Sequence, residues 1–275
     1  MKRIIKNIKP FYWLLKALYN KTLLRFKNGY FKHMKEYKRF IKKKDITGLK
    51  EKGLAGIKIW NFDSWKFDSG LDHSYRRYYV ARFRQKRCFV KIAKHDLTVL
   101  NEIYIADQKK QLEFSPNILL TDKGFNEDSF LIVQEYLKGI CPLYKTKHYC
   151  VFDKWCNEFN NIIDTFLKYN IVHNDVHKGN LVVRKKDNKL FLLDYGISTI
   201  LPNNLIVDYK ARPGTFYRKT NKNEFEIRIY DDAYSFVQEI HRLGFEKEWL
   251  DKSDAYNEIV KKIGRVTFTT KIRSE

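Results

Sequence analysis

The sequence predicts an α+β fold with two lobes, preceded by a basic helical extension over residues 1–52. Short runs rich in Val, Ile, Phe and Tyr cluster in residues 53–137, which favours a first lobe built mainly of β-strands. In residues 138–275 the strongest signal is helical: apolar residues of the segment 151–169 recur at spacings of three and four. The second lobe is therefore predicted to be mainly helical.

The β-rich part begins with a hairpin and a helix. The runs 78–84 and 87–93 flank Gln85-Lys86, which predicts two strands turned at those residues. Asp96 is the predicted N-cap of a helix over residues 97–111. The other predicted elements are strands over 117–121 and 130–136, a helix over 151–169, strands over 181–184 and 190–193, and a helix over 232–243.

The formal net charge of +22 favours anionic partners, and it is concentrated at the start of the chain. Residues 1–52 hold 17 Lys or Arg and 3 acidic residues. Apolar positions within residues 11–22 have helical spacing, and Pro10 suits the first turn of that helix. A basic amphipathic helix favours contact with an anionic membrane surface, while docking on the first lobe or binding of nucleic acid are the alternatives.

Two absences in the sequence bear on its location. The four cysteines form no CxxC pair, which is typical of reduced thiols in a cytoplasmic protein. No run of about 18 apolar residues predicts a spanning helix. We therefore expect a cytoplasmic protein that is peripheral at the inner face of the cell membrane.

Three polar side chains have the spacing of a phosphoryl-transfer site. Asp175 lies five residues before Asn180, and Asp194 lies fourteen residues after it. The oxygen atoms of Asn180 and Asp194 are ligands that Mg²⁺ prefers. Asp175 can accept the proton of an attacking hydroxyl group. The spacing therefore predicts transfer of a phosphoryl group from a nucleotide that is bound with Mg²⁺.

These residues resemble the signature of the protein-kinase-like superfamily. His173-Asn-Asp175, followed by Asn180, resembles the kinase catalytic loop, and Asp194-Tyr-Gly196 resembles the Asp-Phe-Gly motif. The resemblance implies a two-lobed kinase fold with ATP and Mg²⁺ as cofactors. It also implies that Asp175 is the catalytic base and that Asn180 and Asp194 hold the metal.

The resemblance extends upstream to the lysine that binds phosphate in kinases. Phe89-Val-Lys-Ile-Ala93 resembles the strand that supplies it, so Lys91 is expected to contact the α- and β-phosphates. Glu102, on the next helix, is the expected ion-pair partner of Lys91, and Glu113 is the alternative.

Three further segments resemble parts of a kinase. Residues 133–139 resemble the hinge between the lobes, where backbone groups of Glu135 and Leu137 are expected to bind adenine. Arg212-Pro-Gly-Thr215 resembles the end of an activation segment. Asp232 resembles the aspartate that caps the backbone of the catalytic loop, so a structural role is expected for it.

The sequence also departs from the protein-kinase pattern. No GxGxxG precedes Lys91, although a loop such as Asp68-Ser-Gly70 could cover phosphates with backbone amides. His177 stands where protein kinases usually have Lys. The pattern Asp175-x-His177-x-Gly179-Asn180 is similar to small-molecule kinases: aminoglycoside and choline kinases, and bacterial lipopolysaccharide core heptose kinases.

His177 is accordingly expected to orient Asp175 or to approach the γ-phosphate, with packing of the loop as the alternative. The function that we predict is ATP-dependent phosphorylation of a hydroxyl on a sugar or glycolipid, with a lipopolysaccharide core sugar as the acceptor. A compact Ser/Thr protein kinase is one alternative, which Arg212-Pro-Gly-Thr215 favours. The other is a pseudokinase that serves as a nucleotide-binding or interaction module, which the missing GxGxxG favours. A nucleic-acid-binding function is a more distant alternative.

Overall fold

The computed structural model of the chain describes residues 30–62, 76–94, 96–109, 112–127, 129–145, 151–200, 218–222, 225–265 and 267–273. Two compact units are present, residues 1–55 and residues 56–275. Three predicted features lie outside the described residues: the helix over 11–22, the loop Asp68-Ser-Gly70 and the segment Arg212-Pro-Gly-Thr215.

The described part of the first unit is a helix, α1 (Tyr30–Glu51). Its basic side chains Lys42, Lys43 and Lys50 are exposed. Gly53 follows the helix with a positive φ of 81° and donates its amide to the carbonyl of Lys50 at 2.9 Å. Because this left-handed conformation suits glycine, Gly53 ends the helix in the common way.

The second unit contains all but the first two residues of a five-stranded sheet, whose strand order is β1-β2-β3-β5-β4. Its strands are β1 (Leu54–Phe62), β2 (Arg76–Phe83), β3 (Lys86–Lys94), β4 (Ile118–Phe125) and β5 (Ser129–Glu135). The β2–β3 hairpin turns at Arg84 and Gln85, which both have positive φ, one residue earlier than predicted. Lys86 instead begins β3, opposite Phe83.

One helix packs beside this sheet. Helix α2 (Leu97–Lys109) begins at the predicted cap, since the Asp96 carboxylate accepts the amide of Thr98 at 2.9 Å. Val99 and Ile103 of α2 are buried in a cluster with Ala93 and Ile132 of the sheet. This packing holds α2, which carries Glu102, against the sheet.

The following half of the unit is mainly helical. It contains α3 (Phe152–Tyr169), α4 (Asp232–Arg242), α5 (Lys247–Asp251) and α6 (Asp254–Lys261). The apolar face of α3 is buried and packs on α4 and α6. Phe159 of α3 stacks on Phe236 of α4 with ring centroids 3.8 Å apart. Asp231, one residue before α4, caps it by accepting the amide of Tyr234 at 3.0 Å.

Short antiparallel strands connect these helices. They are β6 (Ile140–Pro142), β7 (Ile171–Val172), β8 (Leu181–Arg184), β9 (Lys189–Leu192) and β10 (Thr199–Ile200). Strands β6, β8 and β9 form one small sheet, and β7 pairs with β10. A third sheet, with no counterpart among the predicted elements, joins β11 (Arg218–Lys222), β12 (Phe225–Asp231) and β13 (Thr267–Arg273).

The predicted α+β fold class is confirmed. Cys88, Cys141 and Cys156 are free thiols, and Cys150 lies outside the described residues. Among the helices that the structure describes, none has the length and apolar character needed to cross a membrane.

The stacked pair of rings predicts where the helical core is most sensitive. Phe236 is fully buried, so Phe236→Ala leaves a cavity against Phe159 and should lower the free energy of unfolding by ~3–5 kcal/mol. Urea denaturation measures the change. Val260→Ala, at a side chain of α6 that is 39% exposed, is the control and should change stability by less than ~0.5 kcal/mol. Equal effects of the two substitutions would contradict this packing.

Candidate active site

A loop between β7 and β8 carries the predicted catalytic residues, and a buried carboxylate holds its first turn. The two oxygens of Asp232 accept the backbone amides of His173, at 2.6 Å, and Asn174, at 3.0 Å. Asp232 is only 4% exposed. Since a buried amide without a partner is costly, Asp232 fixes the backbone immediately before Asp175. The capping role expected for Asp232 is confirmed.

Asn174 fixes the loop from the other side. It has a positive φ of 65°, a conformation that Asn tolerates better than most residues. Its amide nitrogen donates to the carbonyl of Ile197 at 2.9 Å and to the hydroxyl of Thr199 at 2.8 Å. The loop that carries Asp175 is thereby tied to the chain that follows Asp194. Sequence reasoning missed this role of Asn174.

Asp175 and Asn180 are in direct contact. The side-chain nitrogen of Asn180 donates to the backbone carbonyl of Asp175 at 3.0 Å and to its carboxylate at 3.1 Å. Both residues are buried, at 3% and 8% exposure. Because the amide nitrogen of Asn180 is used in this way, the amide oxygen is the group that remains for a cation.

His177 faces the same carboxylate. Its Nδ1 accepts the amide of Gly179 at 2.9 Å, so the proton of the neutral imidazole is on Nε2. Nε2 lies 3.6 Å from Oδ1 of Asp175. A Cβ atom at Gly179 would lie 2.7 Å from the imidazole ring, so only glycine leaves room for this arrangement. His177 therefore presents a proton to Asp175 and is not placed as a base.

Asp194 begins the second predicted metal-binding segment in a left-handed conformation, with φ of 62°. The amide of Leu193 donates to the backbone carbonyl of Asn180 at 2.9 Å, which joins this segment to the catalytic loop. At Gly196 a Cβ atom would lie 2.9 Å from Cβ of Thr98. Glycine is thus required for the close approach of the first turn of α2.

Lys91 connects β3, α2 and Asp194. Its ammonium group lies 2.6 Å from Oε2 of Glu102 and 3.2 Å from Oδ1 of Asp194. Burial alone would lower the pKa of Lys91, but the carboxylates of Asp194 and Glu102 raise it above its usual value. Lys91 therefore stays protonated. The predicted ion pair with Glu102 is present, whereas Glu113, the alternative, lies exposed in the turn before β4.

Arg76 is a second cation that sequence reasoning missed. It opens β2, and its guanidinium contacts the Asp96 carboxylate at 2.5 Å and the Thr98 hydroxyl at 2.6 Å. Both contacts are at the start of α2. Burial would lower the pKa of Arg76, but Asp96 and, to a smaller extent, Asp194 raise it. Arg76 thus ties the sheet to the helix that carries Glu102.

The predicted hinge is only partly free to bind a nucleotide. The amide of Glu135, at the end of β5, donates to the carbonyl of Asn117 at 2.8 Å. The Glu135 amide thus completes the edge of the sheet, and binding of adenine by backbone groups of Glu135 and Leu137 stays a prediction. Leu137 follows in the segment that leads to β6. Glu135 and Leu137 both border a cavity of about 480 Å³ that reaches the β8–β9 turn.

A second cavity has a volume of about 720 Å³. Its walls come from α2, β4, the end of β5 and the segment of Leu193, Asp194 and Tyr195. Of the predicted site residues, Glu102 and Asp194 line it, whereas Lys91, Asp175 and Asn180 do not.

The predicted residues form two contacting groups. One is Lys91 with Glu102 and Asp194, and the other is Asp175 with Asn180 and His177. The backbone bond between Leu193 and Asn180 joins the two groups. The structure contains no cluster of three or more His, Cys, Asp or Glu side chains suited to a metal within its described part.

A comparison with protein families agrees with this arrangement. The family model described as the ABC1 atypical kinase-like domain matches residues 129–224, about a third of the chain. The matched segment contains the hinge, Asp175, Asn180 and Asp194, but it begins after Lys91 and Glu102. No curated protein matches the chain. The match and the geometry together support a kinase-like domain of the protein-kinase-like superfamily.

The buried cap of the loop predicts a pH dependence of stability. Burial raises the pKa of Asp232 from 3.8 to about 7, although the amides of His173 and Asn174 lower it. Between these two pH values the folded state binds more protons than the unfolded state, so the contribution of Asp232 to stability rises as the pH falls. Asp232→Asn does not titrate. The free energy of unfolding of the wild type relative to this variant should increase by about 2 kcal/mol from pH 7 to pH 5.

Urea denaturation of both proteins at closely spaced pH values measures this difference. Other titrating groups are common to the two proteins and cancel in the comparison. A difference that stays constant, or that shrinks as the pH falls, would show that Asp232 remains ionised in the folded protein throughout this range.

Proposed function

We propose that the chain transfers the γ-phosphoryl group of ATP to a hydroxyl group of a sugar or glycolipid, most specifically a lipopolysaccharide core sugar. One observation carries the proposal. The buried Lys91–Glu102–Asp194 group and the Asp175–Asn180 pair are joined by the backbone bond from Leu193 to Asn180. The groups that hold a nucleotide and a base for the acceptor thereby belong to one connected site.

In this proposal Lys91 binds the α- and β-phosphates. Its protonated state follows from the two carboxylates beside it, and Glu102 orients it from α2. The adenine edge meets the hinge, where Leu137 is the expected amide donor because the amide of Glu135 is bonded to Asn117. The side chains of Lys91 and Glu102 are almost fully buried, which would strengthen the attraction between Lys91 and phosphate.

The donor atoms also fit Mg²⁺. Asn180 and Asp194 supply one amide oxygen and one carboxylate, and the nitrogen of the Asn180 amide is already bonded to Asp175. Mg²⁺ accepts one or two protein oxygens together with nucleotide phosphates, so a larger cluster of acidic side chains is unnecessary. When bound, the metal would neutralise charge on the phosphates.

Asp175 is the proposed base for the acceptor hydroxyl. The Nε2 proton of His177 faces its carboxylate, and the amide of Asn180 bonds to the other oxygen, so the direction of the carboxylate is fixed from two sides. We propose that His177 positions Asp175. It would assist catalysis by holding the base toward the hydroxyl, not by removing the proton itself.

The acceptor class rests on the motif and on charge. Asp175-x-His177-x-Gly179-Asn180 is the small-molecule kinase pattern, and the contact between His177 and Gly179 gives this pattern a structural reason. A phosphorylated or glycolipid acceptor at a membrane is anionic, which suits a chain of net charge +22. A nucleotide-binding module without turnover is the second candidate, and the lack of a GxGxxG before Lys91 favours it.

The test separates turnover from binding. Asp175→Asn keeps the volume of the side chain but removes the base, so phosphate transfer should fall by about 10²–10⁴-fold. The affinity for ATP with Mg²⁺ should change less than about threefold, because Asp175 does not contact the phosphates in this mechanism. ADP release in the presence of core sugars, glycolipids and protein acceptors measures turnover, and calorimetry measures binding.

Asp164→Asn is the matched control, since Asp164 is an exposed residue of α3 that pairs with Lys262. It should leave both quantities unchanged. If the wild type binds ATP but phosphorylates none of the acceptors, the binding-module alternative is favoured. Turnover by Asp175→Asn equal to that of the wild type would exclude Asp175 as the base.

We further propose that the basic extension contacts an anionic membrane surface. In the described part of α1, Arg39, Lys42, Lys43 and Lys50 are exposed, and Phe40 is exposed by 62%. A helix that exposes both basic side chains and an aromatic ring suits an interface of acidic headgroups and acyl chains. Peripheral attachment at the inner face of the cell membrane would place the proposed site near a glycolipid acceptor.

Charge reversal on α1 tests this attachment. The double variant Lys42→Glu and Lys43→Glu should weaken binding to vesicles that contain phosphatidylglycerol by at least about tenfold in a sedimentation assay. Lys185→Glu with Lys186→Glu, at two exposed residues of the β8–β9 turn, is the charge-matched control. Equal losses in the two double variants would indicate attraction by net charge alone. Binding to RNA in preference to vesicles would favour a nucleic-acid partner.

A further inference from the structure

The face of α2 that carries Glu102 also contacts the segment that follows Asp194. Thr98, Asn101 and Glu102 share this face, because residues three and four apart on a helix lie side by side. A Cβ atom at Gly196 would lie 2.9 Å from the Cβ of Thr98, so the helix and the backbone of the segment approach closely. Asn101 stands on the same face and is placed to bond that backbone.

Asn101 bonds two alternate carbonyl groups of the segment. Its side-chain nitrogen donates to the carbonyl of Gly196 at 3.1 Å and to the carbonyl of Ser198 at 2.7 Å. Asn101 is 3% exposed and Ser198 is 1% exposed. Because a buried carbonyl that loses its donor is costly, these two bonds hold α2 and the segment together.

A second asparagine bonds the polar groups in between. Asn174, in the loop that carries Asp175, donates to the carbonyl of Ile197 at 2.9 Å and to the hydroxyl of Thr199 at 2.8 Å. The polar groups of residues 196–199 are thus divided alternately between α2 and that loop. Asn101, Asn174 and residues 196–199 form what we call the asparagine clamp.

We propose that Asn101 is a positioning residue, which couples the position of Glu102 to that of Asp194 through the asparagine clamp. Glu102 directly follows Asn101 in α2, and Asp194 lies two residues before Gly196. Both carboxylates contact Lys91. Movement of α2 away from the clamped segment would therefore separate the two partners of Lys91 from each other.

The clamp is a property of the fold, whereas its effect on nucleotide binding rests on the proposed function. There Asp194 is a ligand of Mg²⁺, and Asn101 supports it only through bonds to backbone carbonyls. Loss of a residue that orients a metal ligand typically costs about 10–100-fold in metal affinity. Removal of the Asn101 amide should thus change the Mg²⁺ dependence of ATP binding more than the rate of transfer at saturating Mg²⁺ and ATP.

Asn101→Leu tests the clamp without nucleotide, because leucine branches at the same atom as asparagine and donates no hydrogen bond. Hydrogen exchange of the full chain, measured by mass spectrometry, should be at least about tenfold faster for amides of residues 193–199 in this variant. Asn160→Leu is the matched control, since Asn160 of α3 is 8% exposed and donates its amide to the carbonyl of Ala255 at 2.8 Å. It should speed exchange in α3 and α6 and leave residues 193–199 unchanged.

Calorimetric titration with ATP at a series of Mg²⁺ concentrations tests the consequence for the site. Asn101→Leu should raise the Mg²⁺ concentration at half-maximal ATP binding by at least about tenfold, whereas Asn160→Leu should leave it within about twofold of the wild type. Asn101→Ser, whose hydroxyl keeps one donor, should give intermediate values in both measurements. It keeps the test decisive if the leucine variant does not fold.

The outcomes separate the clamp from the proposed function. Exchange of residues 193–199 that is unchanged in the Asn101 variants, or raised equally by Asn160→Leu, would overturn the asparagine clamp. Faster exchange there with an unchanged Mg²⁺ dependence would overturn the positioning role of Asn101. If exchange behaves as expected but the wild type binds no ATP at any Mg²⁺ concentration, the clamp is supported and the proposed function is contradicted.

Discussion

The buried ammonium group of Lys91 is the interaction on which the arrangement of the site depends. A cation this deep is stable only when its partners compensate for the water it has lost, and here Glu102 and Asp194 do so together. The three residues come from a strand, a helix and the segment after β9. Because the buried ammonium group needs both carboxylates, it fixes these three parts of the chain relative to one another. Since removal of either carboxylate would leave the cation undercompensated, the group behaves as a unit.

The loops around this group are held by polar side chains that bond to backbone, not by regular structure. Asp232 bonds the amides before Asp175, Asn174 bonds the chain after Asp194, and the Asn101 amide of α2 bonds the carbonyls of Gly196 and Ser198. Each of these hydrogen bonds restricts the backbone conformation of a segment that is too short to form an extended β-sheet. This is why the site can include irregular backbone and still have defined geometry.

Much of this arrangement could be predicted from the sequence, because the strong signals are local. The period of α3 and the spacing of Asp175, Asn180 and Asp194 depend only on neighbouring residues, and the structure has the predicted helix and brings the three side chains into connected groups. The sheet of β11, β12 and β13 was missed because its last strand pairs with β12 across more than thirty residues, a register that no local pattern encodes. Arg76 was missed for the same reason, as its partners lie on another element.

The loop between β7 and β8 contains two kinds of residue: those whose proposed roles suit any hydroxyl acceptor, and one, His177, whose contacts are specific to this loop. In the proposed mechanism Asp175 and Asn180 would serve any hydroxyl acceptor, since their proposed roles are those of the base and of a metal ligand. His177 is specific to this loop, because its Nδ1 accepts the amide of Gly179. This bond leaves its Nε2 facing Asp175. A lysine at this position would bring a fixed positive charge to the γ-phosphate. With His177 at this position, the charge on the transferred group in the proposed reaction would be met mainly by Lys91.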